Sequence, residues 1–285
     1  MAVGDASGSR RLTVAAVQLS SQAEVAGNLA VVERVTRDAV ARGARVVVLP
    51  ENFAFMGDEA VRATHAEALG DAAAPIQSAL ARLAREHRVH LVAGGMPERS
   101  SDARRPFNTA LCYGPNGELV ASYRKIHLFD VELADGTSYR ESLGNTAGDS
   151  PVVLDAAGFR LGLSICYDLR FPELYRELTQ KGAEVLLVPA AFTLHTGKDH
   201  WHVLLRARAI EAQSYVVAAA QWGKHPLGRV TYGHALVADP WGTVLGEAPD
   251  GIGFALADLD GTRLAEIRAS LPSLQHQRLT RAHRP

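Results

Sequence analysis

Three side chains in this sequence have types and positions suited to nucleophilic chemistry: Cys166, Glu51 and Lys125. Cys166 ends the apolar run 161–165, which reads as a buried strand. Tyr167-Asp168-Leu169-Arg170-Phe171 then turns the chain before Pro172 opens a helix carrying Leu174 and Leu178. A thiol of ordinary pKa, about 8.5, is mostly protonated near neutrality. Cys166 therefore attacks a carbonyl only with a base beside it; otherwise it is a small core hydrophobe. Glu51 follows the apolar run 45–49 and Pro50, where a carboxylate is either such a base or a solvated strand end. Lys125 is one of only four lysines among 30 Lys and Arg residues. Its compact ammonium can steady an oxyanion or trade a proton, or it is simply a solvated cation. His127, two residues on and facing the same way along an extended segment, is an alternative base.

These residues need strands to hold them. The pattern predicts a strand at 12–19, a helix at 28–42 ended by Gly43, a strand at 45–49, a helix at 76–87 and a strand at 90–93. A hairpin pair follows at 108–113 and 118–123, and residues 123–148 read as a long functional loop. The order then repeats. Gly43–Phe53 matches Gly182–Phe192, residues 109–117 match 234–242, and 90–93 match 215–218, suggesting related halves at 11–124 and 159–250. Two half-units that each expose an apolar sheet face would pack face to face with helices outside, as a four-layer αββα sandwich. Residues 11–270 are thus expected to form one α/β domain, with 1–10 disordered and 271–285 a tail packing on a neighbouring subunit.

Overall balance removes several classes of function. A net charge of −1 provides no general attraction for nucleic acid or an anionic membrane. No apolar run is long enough to span a bilayer, and Cys112 and Cys166 lack metal or disulfide spacing, so a cytoplasmic protein is expected. His195, His200 and His202 fit no zinc pattern, and Gly94-Gly95 is no dinucleotide fingerprint, so neither a metal nor an organic cofactor is expected. The segment around these histidines reads as a helix burying Trp201, Leu204, Leu205 and Ile210, with Arg206 and Arg208 on its flanks.

Taken together, Leu49-Pro50-Glu51-Asn52, Arg124-Lys125-Ile126-His127-Leu128 and Ile165-Cys166-Tyr167-Asp168-Leu169-Arg170-Phe171-Pro172-Glu173 resemble the Glu-Lys-Cys triad motifs of the nitrilase superfamily of carbon–nitrogen hydrolases. The resemblance runs from residue 12 to about 279, and segments 123–130, 200–211 and 232–237 are similar to its Nit branch. It implies the αββα fold, a homodimer or higher oligomer, and a small linear amide as substrate. In this reading Glu51 is the base, Cys166 the nucleophile that forms a thioester, and Lys125 the oxyanion partner. Glu141 would hydrogen-bond Lys125, and the Tyr167 N–H would be the second oxyanion donor. Asn52, Phe53, Arg170, Ala190, Ala191 and Phe192 would wall the pocket, with Asp168 and Arg170 a structural pair bracing the turn. The expected reaction is cleavage of deaminated glutathione to 2-oxoglutarate and cysteinylglycine. ω-Amidase action on 2-oxoglutaramate or succinamate is the alternative. Hydrolysis of a carbamoyl amine or nitrile, or a non-catalytic binding protein on this fold, would be further readings.

Overall fold

The structure, a computed structural model, describes residues 10–132 and 138–278. The first half runs β1 (Arg11–Leu19), α1 (Val25–Ala41), β2 (Val46–Leu49), α2 (Glu59–Arg62), α3 (Pro75–His87), β3 (His90–Glu98), β4 (Phe107–Tyr113) and β5 (Leu119–Arg124). A connector carries β6 (Asp130–Glu132), β7 (Ser138–Arg140) and α4 (Glu141–Gly144). The second half runs β8 (Val153–Ala156), β9 (Phe159–Leu163), α5 (Pro172–Gln180), β10 (Val185–Leu187), α6 (Leu194–Ala212), β11 (Tyr215–Ala218), β12 (Ala220–Lys224), β13 (Val230–Tyr232), β14 (Leu236–Ala238), β15 (Val244–Glu247), β16 (Gly253–Asp260) and α7 (Gly261–Ser270).

The duplication is visible in the pairing. β1, β2 and β3 are parallel and continue antiparallel into β4 and β5. In the other sheet β9, β10 and β11 are parallel and continue antiparallel into β14 and β15. The first sheet also gathers β12, β13 and β16 around β1, so the chain leaves one sheet after β11 and enters the other at β12.

Side-chain alternation along the strands builds the layers. Val14, Ala16, Val46 and Val48 face the second sheet, in one cluster with Leu161, Leu163, Val185 and Val216. Their neighbours Ala15, Val17, Val47 and Leu49 face outward onto Val32, Val35 and Ala39 of α1 and Ile76, Leu80 and Leu83 of α3. Pro75 at the start of α3 and Pro172 at the start of α5 occupy first-turn positions that lack an intrahelical N–H partner in any case.

Several expectations need correction. Arg10 is not loose: its guanidinium pairs with Glu184 at 2.8 Å and sits over the Phe159 ring. Residues 1–9 of that segment and 279–285 of the tail lie outside the described residues. Leu274 and Gln277 of the tail border a small cleft with Pro172, Arg176 and Thr179 of α5 and Glu211 and Ala212 of α6, a contact compatible with the tail also packing on a neighbouring subunit. The 123–148 connector is not structureless, since β6 pairs antiparallel with β7. On α6, Trp201 and Leu205 are buried but Ile210 is exposed, while Arg208 is buried and donates from Nε and Nη2 to the Leu169 carbonyl at 3.0 and 2.7 Å.

Candidate active site

Cys166, Glu51 and Lys125 each leave the end of a strand toward one cavity. Cys166 opens a 3-10 turn, Cys166–Arg170, with φ +49°, a left-handed value that costs a residue with a Cβ and is held only by surrounding bonds. Its N–H donates to the Pro189 carbonyl at 2.9 Å. Asp168, fully buried, accepts from the Ile165 N–H at 2.8 Å, the Tyr123 hydroxyl at 2.7 Å and the His127 N–H at 3.0 Å. The His127 ring adds a contact at 2.7 Å and stacks on Phe171. Asp168 braces the Cys166 turn as expected, but not with Arg170. That side chain lies 3.2 Å from His200 Nδ1 and over the Phe192 ring. His127, tied to Asp168 and outside the cavity wall, is not placed to serve Cys166 as a base.

Glu51 lies just past β2. The Asn52 N–H donates to the Gly95 carbonyl at 3.0 Å, and Gln221 Nε2, arriving on β12, donates to the Glu51 carbonyl at 3.0 Å. β3 bulges at Gly94-Gly95 to make room. A Cβ on Gly95, at φ +80°, would lie 2.7 Å from Asn108 Oδ1 and 2.8 Å from Glu51 Cγ. One on Gly94 would lie 1.9 Å from Pro189 Cβ, so the two halves meet here without a side chain between them.

Lys125 Nζ donates to Glu51 Oε1 at 2.9 Å and to both Glu141 oxygens at 2.9 and 3.1 Å. The Lys125 and Glu51 side chains are 2% and 4% exposed and Glu141 is 15% exposed, so these charges meet largely out of water. Asn108 Nδ2 donates to Glu51 at 2.9 Å and Glu141 at 3.2 Å, and the Phe129 N–H donates to Glu141 at 2.7 Å.

Burial alone would raise the Glu51 carboxyl, but the Lys125 charge and hydrogen bond, the Cys166 thiol and the Arg229 charge hold it below the ordinary carboxylate range. Burial opposes the Lys125 charge, yet Glu141, Glu51 and Cys166 raise its pKa and keep it an ammonium. Burial and then Glu51 push the Cys166 thiol well up, against Lys125 and a backbone hydrogen bond from Ala191. The resting arrangement is thus a neutral thiol beside an ionised carboxylate and a fixed cation. Cys112, buried between the sheets, is pushed up to about 12 by burial and then by the Glu118 charge, and does not border the cavity.

The cavity holds about 440 Å³ and is bordered by Cys166, Glu51, Lys125 and Glu141. Of the expected walls, Asn52, Arg170, Ala191 and Phe192 line it, as does Tyr167, expected there as an oxyanion donor. Phe53 and Ala190 do not. Phe53 is fully buried in the outer core under α1 and α3, and Ala190 is bridged to Ala220 in the core between the sheets. Each is one residue out of phase with a neighbour that does face the cavity. Asn108, Asn145, Arg62, Arg229 and Tyr139 also border it and were not anticipated. For Asn108 a signal existed, a polar amide inside an apolar strand; lone arginines in polar stretches carry none. The histidine group divides: His202 joins His234 around Glu247 Oε1 at 3.1 and 2.7 Å, without His195 or His200.

A two-sheet αββα sandwich opening at its strand ends onto this cavity defines an enzyme of the nitrilase-superfamily kind. The chain matches the Carbon-nitrogen hydrolase family over residues 13–269 and belongs to it, within the Nit branch, as a hydrolase of amide carbon–nitrogen bonds. It is 47% identical over 266 residues to a Synechocystis protein named deaminated glutathione amidase, covering 92% of this chain and 97% of that one. A human protein of the same name is 41% identical over 272 residues, covering 93% and 82%. Among solved structures, C. elegans NitFhit superposes with TM-score 0.87 at 37% identity, over 94% of this chain but 65% of that longer one. Saccharomyces cerevisiae Nit3, described as a member of branch 10 of the nitrilase superfamily, gives 0.84 at 30% identity over 92% and 95%. No described helix is long and apolar enough to cross a membrane.

Proposed function

We propose that Cys166 is the nucleophile, Glu51 the base and Lys125 the oxyanion partner of an amidase whose substrate is deaminated glutathione. The observation that carries the reading is the buried 2.9 Å contact of Glu51 with Lys125 Nζ on the wall of the cavity that Cys166 also lines. Glu51 takes the thiol proton as sulfur attacks the amide carbon. The oxyanion is met by the Lys125 ammonium and the Tyr167 N–H. Collapse expels the amine, which takes its proton from Glu51 and leaves a Cys166 thioester. Glu51 then deprotonates water for attack on the thioester, and the departing thiolate recovers that proton. Glu141 and Asn108 fix Lys125 and Glu51 throughout, so neither charge must reorganise as the oxyanion forms.

The substrate reading rests on the relatives of that name and on a cavity of ordinary small-molecule size. Comparing kcat/KM for deaminated glutathione and 2-oxoglutaramate tests it. Preference for the first supports the reading, and a tenfold preference for the second, about 1.4 kcal/mol in transition-state binding, makes the enzyme an ω-amidase. The reading extends to a cytoplasmic enzyme, in keeping with the free thiols of Cys112 and Cys166, and to a homodimer or larger assembly, supported by Val203 and Ile210 exposed on α6. Light scattering giving a strict monomer would remove the last point.

A further inference from the structure

Arg62, the last residue of α2, borders the cavity and is 4% exposed. Its Nη1 donates to Asn52 Oδ1 at 2.7 Å. Its Nε and Nη2 are shut off from solvent and have no hydrogen-bond partner among the described residues. No described carboxylate forms an ion pair with it. A guanidinium stays charged at any working pH, and a buried unpaired charge is among the costliest features a fold can keep.

The two idle donors are not a random pair. Nε and Nη2 form one edge of the planar fork, the edge that takes both oxygens of a carboxylate at once. Arg124 uses that same edge on Glu98 in this protein, with Nε 3.1 Å from Oε2 and Nη2 2.6 Å from Oε1. In Arg62 the opposite side of the fork is pinned by Asn52, whose own backbone is fixed at φ +60° by its bond to the Gly95 carbonyl. The edge is thus oriented before any ligand arrives. Arg229, also on the cavity wall, has a buried Nε without a hydrogen-bond partner among the described residues, a loose 3.9 Å approach to Glu59 and its guanidinium over the Tyr139 ring.

We infer that Arg62, aimed by Asn52 and supported by the charge of Arg229, is a carboxylate-recognition point that makes the cavity selective for anionic amides. The inference deepens the amidase reading and rests on it for the identity of the substrate. A deaminated glutathione molecule offers two carboxylates, one on the 2-oxo acid end and one on the glycine end, and either supplies the chemistry Arg62 fits.

The test uses acid and methyl-ester forms at each end: 2-oxoglutaramate against its ester, and deaminated glutathione against its glycine ester. The wild type is expected to prefer the acid at the recognised end by at least about tenfold in kcat/KM, expressed mainly in KM. In Arg62→Gln that acid-to-ester ratio should fall toward one, and Arg62→Lys, which keeps charge but loses the fork, should fall between. Collapse with 2-oxoglutaramate assigns the acyl end; collapse only with the glycine pair assigns the leaving-group end. Ratios unchanged at both ends in a folded Arg62→Lys or Arg62→Gln protein overturn the inference. If the wild type hydrolyses none of these amides, the substrate reading fails separately. Calorimetric binding of 2-oxoglutarate and of cysteinylglycine to wild type and Arg62→Lys then decides the subsite, and equal affinities in the two proteins for both ligands overturn it.

Discussion

Lys125 Nζ stands 2.9 Å from Glu51 Oε1 with both side chains buried, so the proposed base and oxyanion partner form one ion pair before substrate enters. Glu141 closes the group from the other side of the lysine at 2.9 Å. One cation is therefore shared by two carboxylates.

Removing that cation should be felt in stability and in rate. Lys125→Met leaves Glu51 and Glu141 facing each other without compensation, and a loss of about 3–5 kcal/mol is expected from the denaturant midpoint. Lys125→Arg keeps the charge but sets a wider planar group between two oxygens spaced for an ammonium. It should fold and lose on the order of 10²-fold in kcat. Normal rates in Lys125→Arg would show that charge alone suffices.

Glu141→Gln tests the positioning role. Its oxygens accept from Lys125, Asn108 and the Phe129 N–H. The variant should fold and lose roughly 10- to 100-fold in kcat with a smaller change in KM. A change confined to KM would move Glu141 from orienting Lys125 to binding substrate.

Gly95→Ala adds one methyl group at φ +80°, within 2.8 Å of Glu51 Cγ. The added group must displace Glu51 or Asn108, so kcat should fall at least about tenfold, with about 1–3 kcal/mol lost in stability. Wild-type kcat in this variant would mean that Glu51 tolerates displacement and is not the base.

The pH profile follows from two opposed shifts. Glu51 must be ionised to accept the thiol proton, and it is held below the ordinary range, so the acid limb of kcat/KM should lie below about pH 4.3 wherever the fold survives. The Cys166 thiol is held well up, so no rise in rate is expected near pH 8–9, where a free cysteine would ionise. An acid limb between pH 6 and 7 would point to an imidazole base instead.

Much of this arrangement was legible in the sequence because strands announce themselves by apolar runs and alternation. The run before Glu51 and the run before Cys166 became β2 and β9, and the Gly43–Phe53 and Gly182–Phe192 matches became equivalent strands of two sheets. Phase at strand exits was not legible: Phe53 and Ala190 sit beside cavity residues yet turn into the core, because a corner sets direction through bonds made to distant strands. Asp168 was paired in expectation with the nearest cation, Arg170, whereas Tyr123 and His127, far away in sequence, hold it. Arg62 left no trace, since an arginine in a short polar helix looks solvated until the cavity closes over it.

The central claim is that Cys166 carries the acyl group, and acid-quenched peptide mass spectrometry during turnover measures it most directly. Wild-type protein mixed with deaminated glutathione should show the added 2-oxoglutaryl mass on the Cys166 peptide. Cys166→Ala should show none and should retain less than about 10⁻³ of the wild-type rate while melting like the parent. Turnover near the wild-type rate in Cys166→Ala, or an acyl group found on Cys112 or on no cysteine, would contradict the assignment.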